Sequence, residues 1–195
     1  MVELQHGSAP QALTDFMQVN PRAAVADFDS LAFRPIKDAV KAALNEDQHG
    51  LCAYCERELV STAGQIDHIK PKGGPNARPD LCYQYRNYAH SCIDNTTCGQ
   101  KKKHGLLPIE PGPGCNAEWT LSTVTGHVEP VLGLTRQRRH AATQTRDMLG
   151  LNTPALSRER KQWLDQVLNL LQEAPDEWAD FMRSAPFRHV IGTVV

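Results

Sequence analysis

The chain has 195 residues, 41% apolar and 22% charged, with 13 glycines and 13 prolines. This composition suits one ordinary globular domain and excludes fibrous and disordered chains. No stretch approaches the roughly 20 apolar residues of a membrane span, and the N-terminus, with Glu3 and His6, lacks the apolar core of a secretory signal, so a cytoplasmic protein is expected. The formal net charge of −1 conceals a segregation: residues 66–106 hold 7 basic and 3 acidic side chains and residues 136–146 hold 4 basic and none acidic, inside an acidic frame.

In chain order, Ile36, Ala39, Val40, Ala43 and Leu44 fall at helical spacing, and Pro35 suits a first turn, which predicts a helix from Arg34 to Leu44. Residues 1–50 read as an N-terminal helical segment. The stretch from Cys52 to Cys98 is broken by Gly64, Pro71, Gly73, Gly74, Pro75 and Pro79, so it should hold short elements and loops. Residues 108–116 form an irregular connection. Trp119, Leu121 and Thr123 then alternate with polar residues, Thr125-Gly126 can turn, and Val128 and Val131 follow, the pattern of a small hairpin. Residues 136–149 end against Gly150, a suitable C-cap. A longer helix starts near Thr153-Pro154 and stops before Pro175, with Trp163, Val167, Leu170 and Leu171 on one face. Three segments result: 1–50, a central unit at 51–107, and the hairpin and helices of 108–195, packed as one compact domain. The terminal helices are expected to be scaffold and docking surface, so that loss of residues 152–195 would abolish partner binding or solubility rather than the chemistry itself.

Six cysteines in a reducing compartment favour metal over disulfides. Cys52-Ala-Tyr-Cys55 supplies two thiolates from one tight turn, and Cys92 and Cys98 supply two more, a set suited to one tetrahedral zinc. Between the pairs lie Asp67-His68 and Asn87, which four merely buried thiols would not explain. Cys82 and Cys115 fall outside the pattern and read as small core side chains.

Cys-x-x-Cys, Asp-His-x-x-Pro, Asn, a cysteine five residues later, a further cysteine and a trailing Lys102 resemble the HNH endonuclease signature. The details CAYCE at 52–56, SC at 91–92, and LGLNTPALSRER at 149–160 resemble the HNH subunits of Septu-type anti-phage systems and their retron-associated relatives, over most of the chain. The resemblance implies an α+β fold in which a zinc-bearing ββα-metal module is embedded in a mainly helical domain. A short hairpin would deliver Asp67 and His68, and a helix Asn87. It also implies an effector nuclease coupled to an ABC/SMC-like ATPase.

Phosphodiester hydrolysis needs an activated water, charge neutralisation and help for the leaving oxygen. In this reading His68 is the general base, since a neutral imidazole can accept the proton. Asp67 is a hard oxygen ligand for Mg²⁺ or Mn²⁺. Asn87 holds the hairpin loop so that His68 points at the water. One departure stands out: the third signature position, directly after the last cysteine, is Gly99. A second protein ligand could then come from Asn95, His90 or His104, or water could fill the place.

Lys101, Lys102 and Lys103 beside the site, and Arg136, Arg138 and Arg139 farther on, suit phosphate contacts. Tyr83, Tyr85 and Tyr88 read either as base-stacking platforms or, more simply, as local core. Two other readings stand beside DNA cleavage: an RNA-directed nuclease, and a non-catalytic zinc module that docks nucleic acid or protein.

Overall fold

Two small antiparallel sheets and seven helices make up the computed structural model, which describes residues 1–195. The helices are α1 (Gln11–Val19), α2 (Arg34–Asp47), α3 (Cys98–Lys102), α4 (Arg136–Leu149), α5 (Pro154–Glu173), α6 (Trp178–Ser184) and α7 (Arg188–Ile191). The first sheet pairs β1 (Gln65–His68) with β2 (Tyr88–Ser91), and the second pairs β3 (Trp119–Leu121) with β4 (Val128–Pro130). The fold is α+β.

The elements form where local chemistry asks for them. Thr153 caps α5 by accepting from the Leu156 N–H, and Pro154 opens its first turn. Thr135 caps α4 in the same way, and Gly150 closes it at φ 61° in the left-handed region. A Cβ at Gly150 would lie 2.4 Å from the Thr96 carbonyl oxygen, so glycine is required both by the turn and by the close approach of the loop before α3.

Two apolar clusters hold the chain together. The smaller packs Leu13, Phe28, Phe33, Val40 and Leu44 against Cys82, Tyr85 and Tyr88, and so seats α1 and α2 on the strand β2. The larger collects the cysteine-bearing loop, the second sheet, and Leu156, Leu164, Val167, Phe187, Val190 and Ile191 of the C-terminal region. Residues 1–4, read from sequence as part of a helical segment, are extended instead: the Val2 N–H donates to the Ala53 carbonyl at 2.9 Å, and Met1, Val2 and Leu4 are buried in the larger cluster.

An ion pair lies inside that cluster. The Met1 α-ammonium sits 2.8 Å from Glu56 Oε1 and 2.9 Å from Asn116 Oδ1. Glu56 Oε2 accepts from the backbone N–H groups of His189, at 2.8 Å, and Val190. Burial alone would raise the Glu56 pKa, but the Met1 ammonium and His189 hold it down to about 2. Glu56, which directly follows Cys55, thereby ties the C-terminal segment to the cysteine-bearing turn.

Candidate active site and metal centre

Cys52 and Cys55 lie on the turn that leads to the isolated bridge between Leu51 and Glu58, Cys92 directly follows β2, and Cys98 opens α3. The four sulfurs all lie within 4.8 Å of one another, with Cys52 and Cys98 at 3.7 Å and Cys55 and Cys92 at 3.8 Å. A tetrahedral zinc with Zn–S bonds of about 2.3 Å requires sulfurs about 3.8 Å apart, so the set fits a metal such as zinc. The Cys92 N–H donates to Cys52 Sγ at 3.3 Å, the kind of bond that steadies a thiolate ligand. Cys82 and Cys115 are buried elsewhere.

β1 ends at His68, and β2 and α3 flank it. In register Asp67 faces Ala89 and His68 faces Tyr88. Neighbours on a strand point to opposite faces, yet Asp67 and His68 both line one cleft of about 270 Å³, with Lys72, Gly99, Gln100 and His104 around it. The chain turns away directly after His68, and Asn87 makes the turn. Its Oδ1 accepts from the Lys70 N–H at 2.8 Å, and its amide donates to the Lys70 carbonyl at 3.0 Å. Asn87 sits at the end of a single 3-10 turn, Tyr85–Asn87, that leads into β2, and not on a helix such as the resemblance implied.

His68 Nε2 lies 3.0 Å from the Cys82 carbonyl oxygen. A carbonyl can only accept, so Nε2 carries the hydrogen and Nδ1 keeps its lone pair. Phe28 and Tyr88 pack edge-on against the ring at 4.7 and 5.1 Å between centroids. Burial lowers the His68 pKa to about 4, with Lys72 and Lys102 pushing the same way against the Cys82 carbonyl. The imidazole is therefore neutral at physiological pH.

Asp67 is held from two sides. Tyr54, directly before Cys55, donates its hydroxyl to Oδ2 at 2.5 Å, and Lys102 Nζ lies 3.1 Å from the same oxygen. Burial raises the Asp67 pKa, and Lys102 and Tyr54 oppose that rise. Oδ1 accepts no hydrogen bond. A Cβ at position 99 would stand 3.0 Å from the Asp67 Cγ and Oδ1, so a third signature side chain there would crowd the carboxylate.

Lys102 corrects the sequence reading. Its side chain is fully buried, and besides meeting Asp67 it donates to the His68 carbonyl at 2.9 Å, so it belongs to the carboxylate and not to a phosphate. Lys101 and Lys103 are exposed, and Lys103 borders the cleft. Arg136 and Arg139 are exposed on α4, whereas Arg138 pairs with Glu118 at 2.7 Å. Among the residues named for the vacant third position, His90 is fully buried, with ring nitrogens at the Ala63 carbonyl and the Asn45 amide, and Asn95 is exposed in the loop before α3. Only His104 shares the cleft with Asp67 and His68. Tyr83, Tyr85 and Tyr88 direct their hydroxyls to Ala24, Asp47 and Cys82 and belong to the smaller apolar cluster, which favours the core reading over stacking platforms. Sequence reasoning missed Tyr54 and Phe28. The Tyr within CAYC was the one available signal; Phe28 gave none.

The chain belongs to the HNH endonucleases, and is thus an enzyme of nucleic-acid cleavage. The relationship runs the full length: 36% identity over 201 residues, covering 98% of each chain, to "Retron Vc95 putative HNH endonuclease" of Vibrio cholerae serotype O1 biovar El Tor. No family model matches the sequence. No helix is long and apolar enough to cross a membrane.

Proposed function

We propose that the chain is a divalent-cation-dependent nuclease that hydrolyses DNA phosphodiester bonds, and that residues 51–107 form a zinc-braced ββα-metal module from β1, β2 and α3. It would act as the effector of a cytoplasmic anti-phage complex with an ABC/SMC-like ATPase. The sequence resemblance and the retron relative support the defence setting. The observation that carries the chemistry is the His68 tautomer, with Nε2–H spent on the Cys82 carbonyl and Nδ1 left as a base in a cleft shared with Asp67.

His68 Nδ1 takes the proton of the attacking water on the lone pair that the neutral ring leaves free. The Cys82 carbonyl stabilises the imidazolium that forms by accepting from Nε2–H. Phe28 and Tyr88 keep the ring from turning. Asp67 Oδ1 is the atom that would hold Mg²⁺ or Mn²⁺, with His104 in the same cleft, and such a cation offsets charge on the phosphate and the leaving oxygen. Asn87 fixes the turn after His68 and so acts as a positioning residue. Cys52, Cys55, Cys92 and Cys98 hold the zinc, which is structural and takes no part in the proton transfer. Lys101, Lys103, Arg136 and Arg139 offer phosphate contacts outside the cleft.

The test is cleavage of plasmid, linear DNA and RNA with Mg²⁺ or Mn²⁺, with and without the ATPase. His68→Ala should lower the rate by about 10²–10⁴-fold while zinc content and thermal unfolding stay at wild-type values. A His68→Ala variant that cuts as well as wild type sinks this mechanism and leaves a non-catalytic zinc module in its place.

A further inference from the structure

Phe28 stands beside His68 and carries more than an edge contact. Lys37 from α2 and Lys72 from the loop after β1 place their ammonium groups 4.3 and 4.4 Å from its ring centroid. The same two groups converge on one carboxylate, Lys37 at 2.8 Å from Asp29 Oδ1 and Lys72 at 2.6 Å from Oδ2. Both lysine side chains are about three-quarters buried, at 27% and 22% exposure, whereas the Asp29 side chain is 66% exposed. The donors are largely packed in, whereas the acceptor faces solvent.

These residues line a second cleft, of about 490 Å³, which shares His68 and Lys72 with the Asp67 cleft. Arg34, Lys37 and Lys41 lie three and four residues apart on α2, so one helix face lines its wall. Asp38 faces Lys41 at 3.1 Å, which leaves the cleft with four cations and two carboxylates. A bond to an exposed carboxylate adds little to stability, so the fold does not need Asp29 between the lysines.

We propose that Lys37 and Lys72 form a phosphate clamp on the α2 side of His68, and that Asp29 fills the clamp in the free protein until a DNA backbone phosphate displaces it. Two ammonium groups aimed at the two oxygens of one anion match the non-bridging oxygens of a phosphodiester. A strand held there continues past His68 and Lys72 into the cleft of Asp67. The inference rests on the nuclease reading, and it adds a binding element from outside the HNH signature.

The test uses the full chain without added divalent cation and a fluorescein-labelled 20-base-pair DNA, whose anisotropy is followed against salt. Lys37→Met with Lys72→Met keeps the aliphatic packing on Phe28 and should weaken binding about tenfold and flatten the salt slope by one or two. Asp29→Asn should tighten binding by up to about fivefold at low salt. Arg183→Gln, remote and exposed, should match wild type. Thermal unfolding and zinc content report that each variant is folded. With Mg²⁺, the double variant should raise KM by a larger factor than it lowers kcat. A double variant with wild-type affinity and salt slope, in a preparation whose wild type binds and cuts DNA, overturns the clamp alone. An Asp29→Asn variant that binds no tighter overturns the competition. Lysine dependence seen on an RNA duplex and not on the DNA shows the occupant to be wrong. A wild type that neither binds nor cuts overturns the nuclease reading and the clamp with it.

Discussion

At the scale of single residues, the carboxylate and the imidazole of Asp67-His68 have been given opposite surroundings. His68 keeps one neutral nitrogen free, while Asp67 is bound to a buried ammonium and a phenol. The pairing decides how Asp67 can be tested. Asp67→Ala leaves Lys102 as an uncompensated buried charge, which typically costs about 3–5 kcal/mol, so an inactive variant would confound folding with chemistry. Asp67→Ala combined with Lys102→Met removes both charges. That double variant should unfold within about 2 kcal/mol of wild type in urea and still fail to cleave DNA at any Mg²⁺ or Mn²⁺ concentration. Activity of the double variant above about a tenth of wild type would show that Asp67 is no ligand.

At the scale of elements, the four clustered cysteines come from three separate places: the turn at Cys52 and Cys55, the end of β2, and the start of α3. Cys55→Ser should release the metal and lower the unfolding temperature sharply, because metal binding and folding are coupled at such a site. Elemental analysis alongside calorimetry reads both effects, and retention of one zinc per chain would contradict the four-thiolate assignment. The α4–α5 corner is held differently. Gly150→Ala should lose about 2 kcal/mol or more in urea unfolding, because the left-handed backbone is strained for alanine and the new methyl group meets the Thr96 carbonyl.

At the scale of the molecule, the C-terminal helices are part of the core and not an outer scaffold. Leu156, Leu164, Val167, Val190 and Ile191 are buried with the cysteine-bearing loop, and Glu56 is bonded to His189 and Val190. Arg160, on the buried face of α5, donates to the Gly126 and Leu151 carbonyls, and burial lowers its pKa to about 10. Deletion of residues 152–195 should therefore yield insoluble or unfolded protein with poor zinc retention, and not a separable nuclease. A soluble truncated chain that holds zinc would show that residues 1–151 fold alone.

Much was decided by spacing along the chain. The hairpin at Trp119–Pro130, helix α4 with its glycine cap, and α5 behind Thr153-Pro154 are local structures, encoded by turn residues and by helical period, so they could be read without a partner in view. The cysteine pairs and the Asp-His pair were legible for the same reason, since a tight turn and a strand end bring sequence neighbours together. What depends on distant segments was not legible. Lys102 stands among three lysines of identical chemistry, and only the packing of α3 on β1 sends it inward to Asp67 while Lys101 and Lys103 stay in solvent. Phe28 and Asp29, on the 3-10 turn Val25–Asp29, and Lys37, on α2, all precede the signature in sequence, and only the apolar cluster with Tyr85 and Tyr88 brings them to His68. Residue types and their periods set the local elements and marked out the candidate groups of the site. The choice of which charge meets which was left to tertiary packing, because electrostatic contacts act through space and carry no period along the chain.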